Sequence, residues 1–89
     1  MNTFYQIVTK SDIDGNWIGF FTENSEIYKT YEEAYQKAEE MATLKASGDF
    51  NEHLTIQQYF INDKPIIEVF NSRINDAEIE YHIKKLTVV

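Results

Sequence analysis

The segment from Thr30 to Gly48 constrains the fold of this chain more than any other part of the sequence. Thr30-Tyr31-Glu32-Glu33 has the form of a capping box, in which a threonine hydroxyl and a glutamate carboxylate each satisfy a free backbone amide. Small and aromatic residues then recur at helical spacing and occupy an arc of about 120°. These residues are Tyr31, Ala34, Tyr35, Ala38, Met41 and Ala42. The pattern predicts one amphipathic helix over 31–47, which ends at Ser47-Gly48.

Short stretches rich in β-branched and aromatic residues lie on both sides of this helix and predict strands. They span residues 3–9, 17–22, 54–61 and 66–70. The Asp14-Gly15 pair suits the tight turn of a first hairpin, because these residues tolerate positive backbone angles. Asn62–Pro65 has turn chemistry and predicts a second hairpin, whereas Glu23–Lys29 is polar and predicts a loop.

The C-terminal segment fits two structures. Ile79, Tyr81 and Ile83 alternate as they would in a strand, while Ile79, Ile83 and Leu86 fit a helix capped by Asp76. β-Branched residues are frequent here, and their propensity favours a strand over 78–88. The whole chain, 1–89, is therefore expected to form a single α+β domain, with one helix packed on an antiparallel sheet in ββαβββ order.

Charge and cysteine content limit the classes of partner and compartment. Fifteen acidic and eight basic residues give a net charge of −7, and the basic residues are scattered, which argues against direct binding to nucleic acid. The chain has no cysteine, as is typical of proteins from a reducing compartment. It begins without a secretory pattern and has no apolar run long enough to span a bilayer. We therefore expect a cytoplasmic protein with no membrane partner.

No group of residues has the spacing of a catalytic, metal or cofactor site. Asp12–Asn16 resembles the start of a calcium loop superficially, but it lacks the remaining ligands and suits a hairpin turn better. His53 and His82 are the only histidines, whereas a catalytic zinc site needs three protein ligands in one pocket. The sequence therefore predicts a protein that is not an enzyme and has no cofactor.

The predicted helix carries an acidic surface. Its four outward carboxylates are Glu32, Glu33, Glu39 and Glu40. The simpler interpretation is a solvated helix surface. The functional alternative is that these carboxylates meet a basic surface on a protein partner, in an encounter that complementary charge would accelerate.

The predicted sheet is larger than one helix can cover. A 16-residue helix is about 24 Å long and 10 Å wide, whereas five strands span about 24 Å, and several strands are apolar on both faces. The face away from the helix is therefore expected to carry an aromatic surface of Trp17, Phe20, Tyr59 and Phe70. The competing interpretation is that a curled sheet or the 23–29 loop buries these residues.

Three functional hypotheses follow from these surfaces. The leading one is a non-enzymatic interaction protein that presents a surface to a macromolecular partner, with a homodimer as one form of association. The second is a small-ligand domain with a cleft between helix and sheet, lined by Tyr31, Tyr35 and Trp17. The third, less favoured, is a nucleic-acid-binding module that uses the sheet aromatics.

The chain is also similar at the level of class to small acidic proteins of AT-rich bacterial genomes and their phages. The similarity rests on its size, its acidity and its frequent Asn, Ile, Lys and Tyr. Such proteins include inhibitors of host defence, some of which imitate nucleic acid with carboxylates. The analogy implies a phage or mobile-element inhibitor and transfers no residue.

Overall fold

The computed structural model describes residues 2–11, 21–23, 26–48 and 51–88. Its described part contains five strands and one helix along the chain. They are β1 (Asn2–Ser11), β2 (Phe21–Glu23), α1 (Tyr31–Ala46), β3 (Leu54–Ile61), β4 (Lys64–Asn71) and β5 (Asp76–Val88). The predicted α+β class, with one helix on an antiparallel sheet in ββαβββ order, is confirmed.

The strands form one antiparallel sheet in the order β2-β1-β5-β4-β3. The C-terminal strand thus lies in the middle, where it pairs with β1 from Asn2 opposite Val88 to Ser11 opposite Ile79. The predicted strand over 78–88 is confirmed and begins two residues earlier, at Asp76. A strand at this place pairs with the backbone groups of both β1 and β4, whereas a helix bonds within itself and would leave those two strands without this partner.

The helix lies where the sequence predicts it and packs through its alanines. Thr30 is the N-cap, and its hydroxyl accepts a hydrogen bond from the Glu33 amide at 3.2 Å, one of the two bonds of a capping box. Ala34, Ala38 and Ala42 are fully buried. The helix packs across β1, β5, β4 and β3. Small side chains let the helix approach the sheet closely, so that larger sheet residues fill the core.

The sheet residues of this core alternate along their strands. Ile7, Ile67, Val69 and Tyr81 are buried in one cluster with Ala38 and Ala42 of the helix. Residues directly opposite each other on neighbouring strands project from the same face, and adjacent residues project from opposite faces. We call the side against α1 the helix face of the sheet and the other side its far face.

The second hairpin is tighter than the sequence suggested. The sequence predicts a turn over Asn62–Pro65 and a strand over 66–70, whereas β4 begins at Lys64 and extends to Asn71. Asn62 and Asp63 alone make the turn, with φ angles of 51° and 64°. These left-handed angles match the twist of a two-residue hairpin. Pro65 is tolerated in the strand because the β4 pairing with β5 starts only two residues further on.

The first hairpin is described only in part. β2 pairs antiparallel with β1 opposite Val8–Lys10, as a hairpin requires. The predicted turn at Asp14-Gly15 and most of the predicted strand over 17–22 lie outside the described residues. Further along, Tyr28 continues on the same side of β1 and exchanges two backbone hydrogen bonds with Tyr5, of 2.7 and 2.8 Å. The outer edge of β1 is therefore covered in two places.

Candidate interaction surfaces

The opposite edge of the sheet is formed by β3, and no strand of the described part lies outside it. None of its eight residues, Leu54–Ile61, is charged or a proline. Ile56, Phe60 and Ile61 are exposed by 45%, 65% and 50%. Natural edge strands usually carry a lysine, a proline, an inward charge or a bulge that prevents pairing with other chains. β3 carries no lysine, no proline and no inward charge. The register shift in this sheet, which marks a bulge or irregularity, lies in the pairing of β4 with β5 and not in β3.

The hydrogen bonds at the beginning of β3 show which backbone groups point outward. The Ser72 amide donates to the His53 carbonyl at 2.9 Å, in line with the β3–β4 register. In an antiparallel pair, every second residue bonds to the same neighbour. Ile56, Gln58 and Phe60 therefore direct their N–H and C=O groups away from β4. The backbone groups of Leu54 also point away from β4, but its amide already donates to the Asn51 carbonyl at 2.9 Å.

The far face carries a polar cluster at its centre. Tyr59 donates a hydrogen bond to Glu80 at 2.9 Å, and His82 Nε2 lies 2.9 Å from the other oxygen of the same carboxylate. Glu68 lies directly opposite Glu80 on the neighbouring strand. Burial and the Glu80 and Asp76 charges raise the pKa of Glu68, while a hydrogen bond with Tyr59 acts in the other direction. Burial and the bond to Glu80 also raise the pKa of Tyr59 well above its usual range.

This cluster interrupts the aromatic surface expected on the sheet. Tyr59 and Phe70 both project from the far face, but the pair formed by Gln57 and Glu68 lies between them. The other two predicted residues, Trp17 and Phe20, lie outside the described residues. The proposed four-residue surface therefore stays a prediction, and its described half is not continuous.

The four predicted carboxylates of the helix share one surface. Glu32, Glu33, Glu39 and Glu40 are all exposed, within an arc of about 120° centred opposite the alanines. The first two lie in the first turn, where negative charge is favourable to the helix dipole. Glu40 is paired with Lys37, whose Nζ lies 3.7 Å from its carboxylate. We call these four residues the acidic helix surface.

A cavity of about 350 Å³ lies between the first turn of α1 and the sheet. Its lining combines aromatic, apolar and basic side chains, namely Tyr5, Tyr31, Lys64, Pro65, Ile83, Lys84 and Lys85. The Tyr31 hydroxyl is buried without a hydrogen-bond partner among the described residues. The Tyr5 and Tyr31 rings meet edge to face, with centroids 5.9 Å apart.

Of the three residues that the sequence predicts to line a cleft, one lines this cavity. Tyr31 lines it, Tyr35 stacks on Tyr31 outside the lining, and Trp17 lies outside the described residues. The lysines of the lining were not predicted, because Lys64 and Lys85 are distant in sequence. The alternation of residues along β5 does indicate that Lys85 shares a face with Ile83.

In the parts of the chain that are described, no three His, Asp or Glu residues are grouped so that they could hold a metal ion. The Asp12–Asn16 segment is not among those parts. No helix of the described residues is long and apolar enough to cross a membrane. Comparisons of the chain with protein-family models, with curated proteins and with solved structures find no match.

Proposed function

We propose that this protein is a non-enzymatic interaction module whose docking element is the outer edge of β3. The observation that carries the proposal is an eight-residue edge strand without charge or proline, with three exposed apolar side chains. A strand of a partner protein would add to the sheet along this edge. Main-chain hydrogen bonds then supply affinity and the alternating side chains supply specificity.

The backbone of β3 supports this mode of binding. Ile56, Gln58 and Phe60 offer three amides and three carbonyls in the correct alternation. Each new hydrogen bond contributes about 1 kcal/mol net, because it replaces a bond to water. Burial of the exposed parts of Ile56 and Phe60 adds a hydrophobic contribution. The exposed backbone alone would bind any strand, so the apolar side chains select the partner.

The acidic helix surface supports a partner with a basic surface. Its carboxylates project away from the sheet and stay accessible when β3 is occupied. Complementary charge would accelerate the encounter and make its rate depend on salt. The small size and acidity are also compatible with an inhibitor of the phage or mobile-element type, as a proposal at the level of class.

Affinity capture from a lysate of the native host tests this proposal. The wild-type protein is compared with Phe60→Lys, which places a charge on the exposed edge, and with Asn2→Lys, which adds the same charge at an exposed residue of β1. We expect a partner that the wild type and Asn2→Lys retain and Phe60→Lys loses. Equal retention by all three would contradict a role for β3.

Binding of a small ligand in the cavity is a second candidate. The Tyr31 hydroxyl has no hydrogen-bond partner among the described residues, and Lys85 lines the same cavity. Together they favour a small planar anion, which would stack on the tyrosine rings. Benzoate at millimolar concentration is a simple probe. It should raise the thermal midpoint of the wild type but not that of Lys85→Gln, and an equal response of both proteins would contradict this use of the cavity.

A further inference from the structure

We infer that the strand which occupies the β3 edge is the β3 strand of a second copy of this chain. The two strands pair antiparallel around a two-fold axis at Gln58, and the two sheets become one continuous sheet. This inference rests on the proposed function, because it names the partner of the same edge. It is carried by the match of β3 with its own reversed copy.

The outward backbone groups match under this symmetry. Residues that pair across an antiparallel ladder share a face, and in every second pair the two residues exchange both backbone hydrogen bonds. With Gln58 opposite Gln58, Ile56 of each copy lies opposite Phe60 of the other. The three outward residues of one strand thus meet the three of its partner, which gives about six hydrogen bonds.

The side chains match in the same register. Ile56 and Phe60 are exposed by 45% and 65%, and both project from the helix face, so each covers the other across the axis. On the far face, Ile61 meets Thr55. Every pair within the two strands is therefore neutral, and each exposed apolar residue of β3 gains a neighbour.

An alternative register, with the axis one residue earlier, is less favourable. An axis at Gln57 would place Ile56 opposite Gln58 and Phe60 opposite Leu54. Leu54 is already buried, and its amide is bonded to Asn51. That register would therefore lose a backbone bond and leave Ile56 beside a polar side chain.

The net charge of −7 on each chain opposes association, but the residues of β3 carry no charge. Both helices lie on the same side of the joined sheet, and their acidic surfaces point away from it. Salt screens the repulsion between the two chains and should strengthen the dimer. A contact between the acidic helix surface and a basic partner would respond in the opposite direction, so salt separates the two kinds of association.

Disulfide trapping tests the register, since the chain has no native cysteine. In the proposed dimer, residue 58 faces its own copy at a Cα separation of about 5.5 Å, which suits a disulfide. Residue 57 is offset from its own copy by about 7 to 8 Å. Under mild oxidation Gln58→Cys should form a covalent dimer at least tenfold faster than Gln57→Cys. A faster reaction through residue 57 overturns the inference.

Sedimentation equilibrium is the second test of the proposed dimer. The wild type and Asn2→Lys should reach twice the monomer mass of 10.5 kDa by about 100 µM, and Phe60→Lys should weaken the dimer at least tenfold. A monomeric wild type overturns the inference. If the host lysate then still yields a partner that Phe60→Lys loses, the proposed function stands with a different strand at the edge. If the lysate yields no such partner, both the dimer and the proposed function are contradicted.

Discussion

Glu68 and Glu80 lie directly opposite each other on the far face, on β4 and β5, with the Tyr59 hydroxyl bonded to Glu80. Two carboxylates at this spacing repel each other when both are ionised. Partial burial increases the cost of the second charge and raises the pKa of Glu68 above its ordinary 4.5. The far face thus holds a carboxyl group whose ionisation opposes folding.

Glu68→Gln should therefore stabilise the protein at neutral pH. The raised pKa means that the folded state holds this proton more tightly than the unfolded state does. The stability that protonated Glu68 contributes is fully present below the pKa of this group in the unfolded state. It is lost as the pH rises through the pKa of the same group in the folded state. Because solvent screens this partly exposed pair, we expect Glu68→Gln to gain only a few tenths of a kcal/mol, and at most about 1 kcal/mol, at pH 7 and almost nothing near pH 4.

Urea unfolding at both pH values measures this effect. Glu39→Gln is the matched control, because Glu39 is exposed on the helix. A gain from Glu68→Gln that is the same at pH 4 and pH 7 would show that repulsion from Glu80 is not its source.

The helix position depends on small side chains at its contact with the sheet. Ala38 is fully buried in the cluster that contains Ile67 and Val69. Ala38→Leu should destabilise the fold by about 1 to 3 kcal/mol, because the helix cannot move away without opening the core. Glu39→Gln, one residue along on the solvent side, should be nearly neutral. Equal urea midpoints for the two variants would contradict the assigned helix faces.

Association through β3 should become tighter with salt. Each chain carries −7, whereas the residues of β3 are uncharged, so screening removes repulsion without weakening the contact. The dimer dissociation constant should fall between about 0.05 M and 1 M sodium chloride. A dissociation constant that rises with salt would indicate an ionic contact instead, and Phe60→Lys should then have little effect.

Metal ions should leave thermal stability unchanged. The sequence has no cysteine and two histidines that are distant in the chain, and the described residues contain no grouped ligands. Millimolar calcium or micromolar zinc should therefore not shift the thermal midpoint. An upward shift that a chelator reverses would contradict this expectation and would direct attention to Asp12–Asn16.

The local elements of the fold could be predicted from the sequence because their determinants lie within a few residues. Thr30 and Gly48 bracket the helix, and the structure bounds it at 31 and 46. The strand over 54–61 is confirmed to the residue. The predicted second turn is too long, because the left-handed angles of Asn62 and Asp63 close the hairpin within two residues.

The sequence by itself determined the α+β class, the helix and its faces, and the alternation along each strand. Only the tertiary structure decided that β5 lies between β1 and β4 and leaves β3 at the edge. It alone placed Glu68 opposite Glu80 and gathered Lys64 and Lys85 around one cavity. Caps, turns and periodicity depend on neighbouring residues, whereas strand order depends on contacts between segments far apart in the chain, whose energies no local pattern records.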